Sequence, residues 1–183
     1  MNKVIFGTMI SSCFISFFPL NLPSIPLKTI ETKPAIIQEA LQSVAPREKT
    51  IYDVYSDEEL DLLFRVVESE ARGGSVTAKM NVASVIFNRV KGGWEGGDLT
   101  SILLKPRQFE VVTLGIYKRV NVTKSTIIGC EKAFKQDSVQ GAVYFDSTKG
   151  TSWAAEECRK GNLIWVFRDE INHDFYRKKK EGE

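Results

Sequence analysis

From Leu60 to Arg72 apolar side chains recur at helical spacing, and the chain carries the signals of a helix at both ends. The stretch "SDEE", Ser56 to Glu59, fits a capping box, and Gly73–Gly74 supplies a stop. Ser75 can cap a second helix, "VTAKMNVASVIFNRVK", which Gly92–Gly93 ends. "GGWEGGD" is too rich in glycine to hold a helix. A short helical piece begins at Thr100 and closes at Pro106. Another helix fits Thr123 to about Lys135, with Ile127, Cys130 and Phe134 on one face. "GAVYFD" (Gly141 to Asp146) and "LIWVF" (Leu163 to Phe167) read as strands, with "HDFY" a partner after a turn at "RDEIN". Helices first and short strands later predict an α+β class, mainly helical with a small β-sheet near the C-terminus.

The N-terminal part has a different pattern. Val4 to Leu20 is an almost uncharged apolar stretch behind a single lysine, as in a secretory signal or a short anchor. It stands at the lower edge of membrane-spanning length. Five of the six prolines fall between Pro19 and Pro46, so residues 21–50 read as a linker. The expected organisation is a signal or anchor over 1–20, a linker over 21–50, a folded domain over 51–176 and a basic tail over 177–183. A secreted or membrane-anchored protein follows, whose folded part works outside the membrane at a short distance from it, with membrane association through the apolar segment.

Composition narrows the partners. A net charge of +2 on 183 residues argues against a nucleic-acid ligand. The run Arg177, Lys178, Lys179, Lys180 reads either as a solvated tail or as a means of adhering to an anionic polymer or membrane. The three cysteines show no metal spacing, and Cys130 and Cys158 fit equally well as a disulfide or as two free thiols. Neither a cofactor nor a metal is implied.

Candidate chemistry starts with two glutamates two residues apart in the first helix. On a helical wheel Glu68 falls with Asp61, Arg65 and Arg72, a wet face, and reads as a surface charge. Glu70 falls in the apolar arc with Leu63, Val66, Val67 and Ala71. Burial there disfavours the charged form and raises the pKa, and the C-terminal end of the helix dipole adds to the effect. A carboxylic acid protonated near neutral pH is what general-acid cleavage of a glycosidic bond needs. A buried pair with Arg89 is the structural alternative.

Five segments then appear in a telling order: "ESEARGG", "KMNVASVIFNRVK" with its Asn88–Arg89 pair, "SILLKPRQF", "GAVYF" and "INHDFY". From Leu62 to Tyr176 the chain resembles the cell wall hydrolase, or spore cortex-lytic, family of peptidoglycan glycosidases. The resemblance implies a lysozyme-like, lytic-transglycosylase-type fold and cleavage of the β-1,4 bond between N-acetylmuramic acid and N-acetylglucosamine. It also implies that residues 51–176 are the catalytic domain, that Glu70 is the acid, that glycan strands are the partner and that the protein faces the cell wall. Three positions depart from the family pattern: Gly74 stands where a second glutamate is usual, Asp146–Ser147 follows the strand, and "INHDFY" lacks a glycine.

A hydrolytic glycosidase uses two carboxylates, whereas a lytic transglycosylase works with one. Glu110 and Asp146 are the candidates for a second acid. Gln108 can hydrogen-bond acetamido groups, and Phe109 and Tyr144 can stack on a sugar face or pack in the core. His173, the only histidine, is a substrate contact or a structural residue. A single histidine speaks against a zinc amidase. A peptidase using Cys130 or Cys158 with His173 has no supporting signature. A non-catalytic wall-binding domain is the remaining rival.

Overall fold

The computed structural model describes residues 47–180, 182 and 183. The expected signal or anchor (1–20) and residues 21–46 of the expected linker lie outside the described residues. Among those described, no helix is long and apolar enough to cross a membrane.

Among the described residues six α-helices and three strands form in the order α1 (Asp57–Glu70), α2 (Val76–Lys91), α3 (Leu99–Leu104), α4 (Glu110–Thr113), α5 (Lys124–Lys135), β1 (Tyr144–Asp146), α6 (Trp153–Arg159), β2 (Leu163–Arg168) and β3 (Asp174–Lys178). The capping box at Ser56 forms as its sequence predicts: Ser56 Oγ accepts from the Glu59 amide, and Glu59 accepts from the Ser56 amide at 2.9 Å. Ser75 Oγ accepts from the amides of Thr77 and Ala78 and starts α2. Helix α1 stops at Glu70, two residues before its expected end, because Ala71 leaves helical geometry (φ −102°, ψ 35°).

Helix α2 is the central element. Every residue from Ala78 to Phe87 is buried, so neighbours cover it on all sides. Leu63, Val66 and Val67 of α1, Ile102 and Leu103 of α3, and Cys130 and Ala133 of α5 share one apolar core with its Val82, Ala83 and Ile86. Helix α5 approaches α2 closely at Gly129. A Cβ there would lie 3.0 Å from Lys79 Cβ and 3.0 Å from the Met80 amide nitrogen, so no side chain fits without displacing backbone.

The sheet has the order β1–β3–β2, all antiparallel, with Tyr144 opposite Tyr176 and Trp165 opposite the same tyrosine. A bulge between Trp165 and Phe167 shifts the register of β2. Phe175, Val85, Val139 and Ala142 form a smaller core that joins the sheet to α2. Strand β1 is three residues long, shorter than expected, although the Val143 amide still bonds to the Tyr176 carbonyl at 3.0 Å.

Three expectations are corrected. The basic segment 177–183 is not wholly a tail, because Arg177 and Lys178 complete β3. The folded unit also begins earlier than residue 51: Arg47 pairs with Asp53 at 2.6 Å, and Thr50 caps a 3-10 turn over Ile51–Asp53. The third correction is Glu68, which is 6% exposed. Lys79 Nζ lies 3.1 Å from its carboxylate, and the Thr123 hydroxyl and amide donate at 2.6 and 3.1 Å, with Thr126 a further donor. On the wheel Glu68 is the member of the polar arc nearest Phe64, and the start of α5 covers that edge. Burial pushes its carboxyl up, but the hydrogen bonds from Thr123, Thr126 and Lys79 outweigh this and hold it at about 2.

Candidate active site

Glu70 is the last residue of α1, and its backbone ends the helix just before the chain turns. The residue as a whole is half-buried, yet its Oε1 is enclosed and has no hydrogen-bond partner. Desolvation raises its pKa from 4.5 to about 7. Smaller influences act around it. His173, the Val111 amide at the start of α4, and Arg89 lower it, and the nearby Glu110 raises it. The wheel put Glu70 on the apolar side of α1, and its Oε1 is enclosed and desolvated.

The alternative of a Glu70–Arg89 ion pair does not form. Arg89 is 4% exposed, and its Nε donates to the Val143 carbonyl at 2.8 Å. Its Nη1 has no partner. The guanidinium lies 5.2 Å from the ring centroids of Trp94 and Phe109 and 5.9 Å from that of Tyr144. Burial lowers its pKa to about 10, so it stays cationic at neutral pH.

Arg89 also stands in the wall of a groove of about 380 Å³, with Trp94, Gln108, Tyr144 and Trp153. Glu70 itself does not line this groove. Arg89 stands both in the groove wall and within electrostatic reach of Glu70, and the chain runs from Gln108 in that wall to Val111 beside the carboxyl. Tyr144 sits between two tryptophans, with centroids 5.4 Å from Trp94 and 5.3 Å from Trp153. Trp153 is 59% exposed. Such a cluster of aromatic rings, packed edge to face, beside amide and guanidinium donors suits saccharide rings, which pair apolar faces with polar edges.

The expected binding residues divide. Gln108 and Tyr144 line the groove. Phe109 does not: it is 1% exposed, closed in by Phe145 and Arg89, and is core. His173 is 6% exposed and packs its ring 5.0 Å from that of Phe145, so it is not open to a ligand. Its Nδ1 faces the buried Asp169 Oδ2 at 3.5 Å, and neither atom has a closer partner. Trp153 was missed because it opens a seven-residue helix whose one sequence signal is its cap, Ser152.

The candidates for a second acid are otherwise engaged or exposed. Asp146 accepts from the Thr148 amide and hydroxyl and from Ser152, and so braces the loop into α6. Glu110 is exposed at the first turn of α4. A side chain cannot be added at Gly74, where a Cβ would lie 2.8 Å from Ala78 Cβ and 3.1 Å from the Ala71 carbonyl. The carboxylate that does reach this corner is that of Glu170, which accepts from the Ser75 amide at 2.8 Å. The two body cysteines are free. Cys130 is fully buried, and burial pushes its thiol up. Cys158 faces a separate hollow with Trp165, Arg168 and Tyr176, and His173 is not in its lining. Among the described residues no cluster of three metal-binding side chains forms.

The architecture matches solved structures. The catalytic domain of the germination-specific lytic transglycosylase SleB from Bacillus anthracis superposes with a TM-score of 0.58 over 68% of this chain and 98% of that one, at 20% identity. The fold is that of the SleB catalytic domain. The Bacillus cereus SleB domain agrees, with a TM-score of 0.54, 19% identity and coverage of 72% and 94%. In sequence the chain is similar to the spore cortex-lytic enzyme of Halalkalibacterium halodurans, with 27% identity over 111 residues, or 58% of this chain. It spans about a third of that relative's length. No protein-family model matches the chain. The fold anticipated from the five ordered motifs, mainly helical with a small sheet, is the one found.

Proposed function

We propose that this chain cleaves the β-1,4 bond between N-acetylmuramic acid and N-acetylglucosamine in peptidoglycan, as a lytic transglycosylase, with Glu70 as the acid and then the base. The observation that carries the reading is the Glu70 carboxyl, with Oε1 enclosed and unpartnered and its pKa raised to about 7, behind an aromatic groove. Near neutral pH a large share of the molecules hold Glu70 protonated. That proton goes to the glycosidic oxygen as the bond breaks. The resulting carboxylate then takes the proton of the muramic C6 hydroxyl, and that oxygen closes onto the anomeric carbon as a 1,6-anhydro ring. No water enters the balance, so no second carboxylate is required. Arg89, cationic and also unpartnered at Nη1, steadies the carboxylate between the two steps.

The similarity to a spore cortex-lytic enzyme and to SleB domains supports the same substrate and a site of action in the wall. Peptidoglycan clearing by the wild-type chain and by Glu70→Gln tests the assignment. We expect clearing by the first and a loss of roughly 10²-fold or more in the second. A folded Glu70→Gln protein that clears wall at the wild-type rate refutes it. Mass spectra of the products decide the chemistry: 1,6-anhydromuramic ends are expected, and reducing muramic ends alone overturn the transglycosylase version.

A further inference from the structure

A second groove, of about 620 Å³, shares Trp94 with the first. Its wall also carries Asn88, Asp137, Lys178, Lys179 and Lys180. The basic run that reads in sequence as a frayed tail is thus built into a concave surface. Lys178 ends β3, and the Lys180 amide donates to the Glu183 carboxylate at 3.1 Å. Arg177, in the same wall, is neutralised by Glu183 through contacts of 2.6 and 2.9 Å. Among the described residues no carboxylate pairs with Lys178, Lys179 or Lys180, while other surface lysines such as Lys135 and Lys160 do have partners. The acid in the wall, Asp137, is already used by the Asn88 amide group and by the backbone amides of Val139 and Gly141. Those donors are neutral and leave Asp137 charged, so among the described residues the wall sets three lysines against one free carboxylate charge and carries a net positive field.

Trp94 links this field to the first groove. Lys178 Nζ lies 4.9 Å from its ring centroid, and Arg89 approaches the same ring at 5.2 Å. A polymer seated along Trp153, Tyr144 and Trp94 is led to the lysines. The glycan strand of peptidoglycan has no charge of its own, but its lactyl-linked peptides end in carboxylates. Lysines, as mobile and strongly hydrated point charges, suit carboxylates whose positions vary along a strand. We propose that this second groove is an anion subsite for the peptide carboxylates of the same wall polymer whose glycan occupies the first groove. The proposal rests on the peptidoglycan reading above.

Co-sedimentation with insoluble peptidoglycan tests it, using the full chain with Glu70→Gln so that the polymer stays intact. Two polymers are compared: one bearing its stem peptides, and one stripped of them by an amidase. The parent chain should prefer the peptide-bearing polymer by roughly five- to tenfold at low salt, and the preference should shrink as salt is added. Replacing Lys178, Lys179 and Lys180 together by glutamine should bring the ratio near one, and the triple arginine variant should restore it. The proposal fails if the parent shows no preference, if the glutamine variant keeps it, or if arginine does not rescue it. It also fails if the lysines alter binding only to wall carrying phosphate polymers or only to anionic vesicles. Because the readout is binding, it is separate from the cleavage assay that tests Glu70.

Discussion

Exchanging Glu70 for glutamine removes a titrating group while keeping the shape of the side chain. The carboxyl is held at about 7 in the folded protein against 4.5 as its ordinary value. Between those pH values the folded state binds more protons at this site than the unfolded chain. Its contribution to stability is therefore fully present below pH 4.5 and is lost as pH rises through about 7. A change of that size corresponds to about 3 kcal/mol. Glutamine carries no such penalty, so its advantage over the wild type should grow by about 3 kcal/mol between pH 4 and pH 8. Urea unfolding of both proteins across that range measures it. Every other titrating group is common to the two chains, and the difference between their curves isolates residue 70. A difference that stays flat with pH would show that the carboxyl is not desolvated, and the general-acid argument would lose its physical basis. A rising difference with lost wall clearing is the expected pair of results.

Glu68→Gln should act in the opposite sense. It leaves the buried Lys79 ammonium without its counter-charge and should lower stability by about 3–5 kcal/mol at neutral pH, read as a fall in melting temperature. Its own stabilisation is present above pH 4.5 and lost as pH falls toward about 2, because the folded carboxyl is held low. Gly129→Ala should cost about 1–3 kcal/mol in urea unfolding, since its Cβ meets Met80 backbone at 3.0 Å. Trp153→Ala should raise KM for soluble glycan fragments severalfold, equivalent to about 1 kcal/mol, and leave kcat nearly unchanged if the ring only holds a sugar. Cys158→Ala should leave wall cleavage at the wild-type level, and a loss of activity there would revive the peptidase reading.

Much of this was legible because periodicity and capping are local. The two long helices follow from Ser56, Glu59, Ser75 and the glycine pairs that close them, and the phase of α1 alone placed Glu70 in the apolar wall. What failed was long-range. Nothing in the spacing around Glu68 tells that Thr123 and Thr126, more than fifty residues on, will cover it. The wheel could sort residues into arcs but could not say which neighbour would close over the edge of an arc. Phe109 and His173 were left with two readings each for a related reason, because aromatic and imidazole rings serve a core and a cleft equally well. Trp153 stayed hidden because a helix of seven residues gives too few turns for a pattern.

The buried Glu68–Lys79 contact has a mechanical consequence. Residues two apart on a helix point some 200° from each other, so Glu68 and Glu70 leave α1 on nearly opposite sides. A helix held only by apolar contacts can roll about its long axis at little cost, because greasy surfaces slide over one another. The four polar tethers on Glu68, from Lys79, Thr123 and Thr126, remove that freedom. Fixing the roll on one side fixes the bearing of the carboxyl on the other. Glu68 thus sets the aim of the carboxyl proposed as the acid, by acting on torsion of the whole helix instead of touching its partner.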